Sequence, residues 1–117
     1  MPATIGLVLD CADAPKLAEF WAPALNFVNV WSGGTYVLLM DPSNVEPRLI
    51  LQQVDEPKSA KNRLHFDLHP PDVDAEVARL EALGAQRGEE ITEHATRWVV
   101  MTDPEGNEFC VCSAPTE

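Results

Sequence analysis

Apolar and polar side chains alternate strictly from Leu64 to His69, inside the stretch R-L-H-F-D-L-H-P-P-D that runs from Arg63 to Asp72. Period two marks a half-buried strand, whose successive side chains point to opposite faces. Leu64, Phe66 and Leu68 therefore share one face, and His65, Asp67 and His69 share the other. Pro70-Pro71 stops the strand, and Asp72 is a ready N-cap for the helical pattern behind it.

The same reading divides the rest of the chain into short elements. Thr4 to Asp10, rich in Ile, Leu and Val, predicts a mostly buried strand. Asp13 caps a helix to about Leu25, in which Leu17, Phe20, Trp21 and Ala24 form one apolar face. Asn26 suits a left-handed stop. Phe27 to Trp31 and Thr35 to Met40 are strands around the turn Ser32-Gly33-Gly34, and Arg48 to Val54 is a fourth strand after the Asp41-Pro42-Ser43-Asn44 turn. Asp55 to Asn62, polar and containing Pro57, is a linker.

Behind the linker the order recurs. The Arg63 to His69 strand leads into a helix from Asp72 to about Leu83, with Val73, Val77 and Leu80 on one face and Gly84 as its stop. Ala85 to Ile91 is a short strand, Arg97 to Thr102 a stronger one, Asp103 to Asn107 a turn and Glu108 to Cys112 the last strand. The tail from Ser113 to Glu117 is expected to fray. Two copies of strand-helix-strand-strand-strand result, a repeat that outweighs any single motif. The caps Asp13 and Asp72 lie 59 positions apart, which pairs Gly6 with His65, Val8 with Asp67 and Asp10 with His69. The two Asp-Pro turns lie 62 apart and pair Tyr36 with Trp98.

Composition narrows the function classes more than it names one. The 117 residues form one globular domain by length, with modules at about 4–54 and 63–113. Nineteen acidic against eight basic residues give a net charge of -11, which argues against nucleic acid and anionic membrane surfaces as partners. No apolar run reaches the length of a membrane span, and the beginning of the chain does not read as a secretory signal. Three cysteines, two of them spaced Cys110-x-Cys112, make neither a disulfide framework nor a C-x-x-C pair, so free thiols and a cytoplasmic location are expected.

The tandem βαβββ order resembles the vicinal oxygen chelate superfamily of glyoxalases, bleomycin-resistance proteins, extradiol dioxygenases and epimerases. Asp13 with Leu17-Ala18-Glu19-Phe20-Trp21 looks like that group's first-helix motif, and Asp103-Pro104-x-Gly106-Asn107 like its final hairpin. Glu56-Pro57-Lys58, Lys61 to Leu68 and Asn107 to Cys110 resemble the small glyoxalase-like subgroup. The resemblance covers residues 4 to 113. It implies an α+β fold of two modules, with each helix on one sheet face and a cavity lined by the other, so that His65, Asp67 and His69 face the cavity.

The resemblance also implies metal ligands on the first and last strand of each module. Those positions hold Gly6, either Ile50 or Gln52, His65 and Cys110, so only His65 matches and true glyoxalase I activity is not expected. No cofactor is expected, the alternative being a divalent metal (Zn, Ni, Mn or Fe) on a partial site with Asp67 and Cys110. His65 and Asp67 form a candidate acid/base pair, because imidazoles titrate near neutral pH; the alternative is a structural network with Lys61, Asn62 and Arg63 around the linker. Cys110 could be a nucleophile, but a small buried thiol is the better reading. Trp31, Tyr36 and Trp98 lie on short outer strands and, with Gln52 and Cys110, are candidates to bind a ligand; for Trp21 core packing wins. The resemblance thus implies a binder of a small, partly aromatic metabolite, expected as a homodimer because open sheets leave edges to cover. The alternative is a lyase, isomerase or hydrolase built on His65 and Asp67.

Overall fold

The computed structural model describes residues 3–113 and divides into two compact units, Met1–Lys58 and Ser59–Glu117. The division falls inside the linker read from the sequence. In the first unit β1 (Leu7–Cys11), α1 (Ala14–Leu25), β2 (Val28–Gly33), β3 (Tyr36–Met40) and β4 (Leu49–Gln53) follow in order. The second unit repeats the series as β5 (Phe66–Leu68), α2 (Val73–Leu83), β6 (Gln86–Glu93), β7 (Thr96–Thr102) and β8 (Glu108–Cys112). The sheet orders are β1-β4-β3-β2 and β5-β8-β7-β6. In each, the first strand runs parallel to the last and the remaining pairs are antiparallel.

Both helices begin and end as their sequences dictate. Asp13 and Asp72 accept from the backbone N–H groups of Lys16 and Ala75, each at 3.1 Å. Asn26 stops α1 at φ 57° and Gly84 stops α2 at φ 120°. Leu17, Phe20, Trp21 and Ala24 are buried, with the Phe20 and Trp21 rings edge to face at 5.0 Å, and they cover a sheet face built from Val37, Leu39, Leu49 and Leu51. Val73, Val77 and Leu80 cover the corresponding face of Val99, Met101, Phe109 and Val111. Apolar burial of this kind contributes about 1.5–3 kcal/mol per large side chain and is the main force holding each unit together.

Several boundaries move from their sequence expectation. The strand expected over Arg63 to His69 is only Phe66–Leu68, because β8 supplies just three registered partners. Leu64 is consequently 72% exposed and does not pack under α2. The first strand is one-sided rather than mostly buried: Leu7 and Leu9 are half-buried, whereas Val8 is 57% exposed. The strand expected over Ala85 to Ile91 runs over Gln86–Glu93 and carries a bulge between Arg87 and Glu90. Gly88 sits at that bulge, where a Cβ would come within 3.0 Å of the Val100 carbonyl oxygen. β2 bulges between Asn29 and Trp31 in the same way. The hairpin loops are two residues each, Gly34-Thr35 and His94-Ala95.

The remaining elements of the chain's ends are quickly placed. Ser113 is held on β7, donating its N–H to the Arg97 carbonyl at 2.8 Å and accepting from the Arg97 N–H at 2.9 Å, so the frayed tail does not begin there. Residues 114–117 of that tail lie outside the described residues. Among the described residues no helix is long and apolar enough to cross a membrane.

Candidate functional site

Each sheet has one face under its helix and one face away from it, and the chemistry lies on the faces away. Register decides which residues share a rung. In the second unit Asp67 pairs with Cys110, which pairs in turn with Val100, while Cys112 pairs with Trp98 one rung along. In the first unit Val8 pairs with Ile50 and Ile50 with Leu38; Asp10 pairs with Gln52 and Gln52 with Tyr36. Superposing the two ladders makes Ile50 the counterpart of Cys110 and Gln52 the counterpart of Cys112. This settles the choice left open between Ile50 and Gln52. The same superposition pairs Tyr36 with Trp98, as the turn spacing predicts.

His65 and His69 flank β5 rather than lying within it, yet both stay on the side of Asp67. The donor atoms of His65, Asp67 and Cys110 lie within 4.8 Å of one another, as do those of Asp67, His69 and Cys112. His65 Nδ1 is 3.9 Å from Asp67 Oδ1, too long for a hydrogen bond, and the two side chains are 40% and 52% exposed. The Cys110 side chain on β8 stands next to Asp67, its registered partner on β5. Burial, and then the Asp67 charge, push the Cys110 thiol up, against a smaller downward pull from Lys61. The same two causes push Cys112 up to about 11. Both sulfurs are thiols at neutral pH, so Cys110 is a poor nucleophile where it stands. Cys11 is buried at the end of β1, with its thiol directed at the Gln52 carbonyl at 3.6 Å.

The structural role assigned by sequence to Lys61, Asn62 and Arg63 belongs to Asn62 and to residues the sequence reading passed over as a turn. Asp103, nearly fully buried, accepts from the backbone N–H groups of Glu105 and Asn107 and from the Asn107 amide at 2.8 to 3.1 Å. The Asn107 side chain accepts from Asn62 Nδ2 at 3.0 Å, and Glu108 accepts from the Asn62 N–H at 2.6 Å. The signal was present in the motif Asp103-Pro104-x-Gly106-Asn107, whose polar ends are too buried to be turn decoration. This network leaves His65 and Asp67 out.

Trp31 and Tyr36 share the uncovered face of the first unit, 56% and 42% exposed, with Val28 on the same edge strand as Trp31 and Val8 on the opposite edge strand. Trp31 is on the edge strand β2, but Tyr36 and Trp98 are on the inner strands β3 and β7, not on outer strands as expected. The Trp31 ring lies against Gly33, where a Cβ would meet it at 2.6 Å. Gln52 Nε2 donates to the Tyr36 hydroxyl at 3.3 Å. Trp98 is half-buried in the second unit. His94 is an exposed loop residue with Nε2 3.2 Å from Glu93, as its polar surroundings predict.

A family model described as "Glyoxalase-like domain" matches residues 6–112. The chain belongs to that family. It lies within the vicinal oxygen chelate superfamily, and solved structures share its fold along almost the whole chain. The E126Q mutant of the fosfomycin resistance protein FosX from Listeria monocytogenes, complexed with Mn(II) and 1S,2S-dihydroxypropylphosphonic acid, is similar at a TM-score of 0.80 and 18% identity, over 99% of this chain and 93% of that one. Lactoylglutathione lyase from Agrobacterium tumefaciens is similar at 0.69 and 20%, over 97% and 96%. A glyoxalase/bleomycin resistance protein/dioxygenase family enzyme from Burkholderia phytofirmans PsJN is similar at 0.77 and 15%, over 92% and 94%. No curated protein matches the sequence.

The superfamily's metal ligand positions can now be tested on this chain. Gly6 offers no donor, and the Arg48 side chain lies over it, 3.4 Å from where a Cβ would stand. Ile50 is hydrocarbon. His65 and the Cys110 sulfur remain, which is not the set of hard oxygen and imidazole donors that an octahedral divalent ion takes. The glyoxalase-type metal does not fit these four positions.

Proposed function

We propose that this glyoxalase-like protein binds a small, partly aromatic metabolite on the uncovered sheet faces, with its ancestral metal site degenerate. The observation that carries the reading is the aromatic surface of the first unit. Trp31 and Tyr36 stand exposed on one face beside Val8, Leu38 and Ile50, and a single amide, Gln52, is fixed by the tyrosine hydroxyl. Apolar walls with a few placed polar groups are the usual recipe for binding a small organic molecule. Trp98 and Cys110 offer the second unit's counterpart. FosX, complexed with Mn(II) and a small phosphonic acid, is an example of this fold with a small organic ligand, though not an aromatic one.

The test is tryptophan fluorescence of the full chain titrated with benzoate, catechol and indole, in the presence of chelator. The expected result is saturable quenching by at least one of these probes, weakened several-fold by Trp31→Ala or Tyr36→Ala. Quenching that never saturates, or that survives both substitutions, overturns the reading. The reading includes a homodimer, supported by the edges β2 and β6 that each sheet leaves unpaired, and sedimentation equilibrium tests it.

A second reading is favoured by the adjacency of His65 and Asp67 on the uncovered face of the second unit. It makes the protein a lyase, isomerase or hydrolase in which His65 moves a proton and Asp67 orients the imidazole. Both side chains are partly exposed, so His65→Ala should keep the fold while abolishing any turnover. If His65→Ala mainly unfolds the protein, the residue is structural and this reading fails.

A further inference from the structure

The family's metal position fails on this chain, but one rung further along the same two strands Asp67 meets a second imidazole and a second thiol. Asp67, His69 and Cys112 offer a carboxylate, an imidazole and a thiol whose ligand atoms lie within 4.8 Å of one another. This rung is distinct from the His65 and Cys110 positions that the superfamily uses. In the first rung His65 Nδ1 stands 3.9 Å from Asp67 Oδ1, and Cys110 is the registered partner of the same aspartate. In the second rung the side chains of His69 and Cys112 have no hydrogen-bond or ion-pair partner among the described residues. Cys112 is nevertheless buried, and Trp98 is its neighbour across the ladder.

We propose that Asp67, His69 and Cys112 form a site for a thiophilic divalent cation of the zinc class, separate from the degenerate glyoxalase position. Mixed nitrogen, sulfur and oxygen donors in threes are what zinc accepts, and three protein ligands leave a fourth tetrahedral position open to water or a ligand. Bonds of about 2.0–2.3 Å put the ligand atoms of a tetrahedral zinc roughly 3.3–3.8 Å apart, so closing the site needs a contraction of about 1 Å. Exposed His69, at the strand end, can supply that movement. Binding releases the thiol proton to solvent as the sulfur–metal bond forms. Pro70-Pro71 restricts the backbone behind His69 and limits the freedom it loses on binding.

The experiment is a titration of the chelator-treated full chain with Co²⁺, followed by absorption and reversed with Zn²⁺, with no organic ligand present. The expected result is one Co²⁺ per chain, with tetrahedral visible bands and a thiolate-to-cobalt charge-transfer band that Zn²⁺ displaces. Cys112→Ser should remove that band and His69→Gln should weaken binding by about tenfold or more, while His65→Gln leaves it within about threefold. Absence of saturable binding overturns the proposal. So does a band lost in His65→Gln or Cys110→Ser but kept in His69→Gln. If Cys112→Ser does not fold, the exposed His69→Gln still decides the matter. Because no aromatic probe is used, its failure is separate from that of the aromatic-binding reading.

Discussion

Asp67 on β5 stands directly opposite Cys110 on β8, on the rung where the first unit places Val8 opposite Ile50. One copy of the repeat is thus polar at the point where the other is wholly apolar. The polar copy sets its charge beside its sulfurs: burial first, and then the Asp67 carboxylate, raise both thiols.

That relation predicts slow thiol chemistry. A thiol raised to about 11, as Cys112 is, carries far less thiolate at neutral pH than an ordinary cysteine. Carbamidomethylation by iodoacetamide at pH 7.5 should therefore run at least about tenfold slower at Cys112 than at a free cysteine, with Cys110 also retarded. Mass spectrometry of timed samples reads each site. Asp67→Asn should speed Cys110, because it removes the second-largest cause of the upward shift. Rapid labelling of Cys112 in the folded chain would show that its thiol is not held as described.

The Asp103 network predicts a large stability effect far from any chemistry. Its carboxylate satisfies two backbone N–H groups and the Asn107 amide inside a nearly dry turn. Asp103→Ala strands those donors and should cost about 2–4 kcal/mol, read as a lower urea midpoint at unchanged slope. Asn107→Ala should cost about 1–3 kcal/mol and also release Asn62. Asn62→Ala alone, losing a partly exposed end of the network, should cost less than either. If all three are neutral, the turn is not held by these bonds.

How much of this was legible beforehand follows from what each signal depends on. Helices were readable to their caps because Asp13, Asp72, Asn26 and Gly84 act within four residues of where they stand. The repeat was readable because burial under a helix imposes the same apolar rows twice. The length of β5 was not, since it is set by how many partners β8 presents, and Leu64 looks like a strand residue until that pairing ends. The bulge at Gly88 was hidden because it is set by the register against β7, which the sequence of one strand does not carry. The site divides on the same line. That His65 and Asp67 share a face followed from alternation, and Cys110 beside them from the family resemblance; that Cys112 and His69 form a second rung needed the register.

A hairpin loop gives the next prediction. His94 and Ala95 take φ of 51° and 60°, the left-handed pair of a two-residue turn whose twist matches the strands. Alanine gains nothing from that region, and a glycine there avoids the Cβ penalty. Ala95→Gly should therefore stabilise the protein by about 0.4–1 kcal/mol, seen as a rise in Tm. Ala95→Val should do the reverse, because a β-branched side chain fits that region worst. A destabilised Ala95→Gly would mean that the loop does not adopt this turn in solution.

Arg97 supplies a prediction about pH. Its guanidinium lies 2.5 Å from Asp74 of α2 and 3.0 Å from Glu90 of β6, tying the helix to the sheet edge. Hydrogen bonds from Arg97 hold both carboxyls below their ordinary values of 3.8 and 4.5. A carboxyl lowered in the folded state stays ionised where the unfolded chain has taken up its proton, so the folded state binds fewer protons and stability rises with pH. The contribution is therefore fully present above the ordinary values and lost as pH falls through the lowered ones. Arg97→Met should be less stable than the parent at pH 7, and the gap should close as the pH falls below about 4 towards roughly pH 2. Added salt should narrow the gap at pH 7, because these groups face solvent. Parallel urea midpoints across pH 2 to 7 measure it. A gap that stays constant with pH would assign the loss to the packing of the arginine stem and not to its charge.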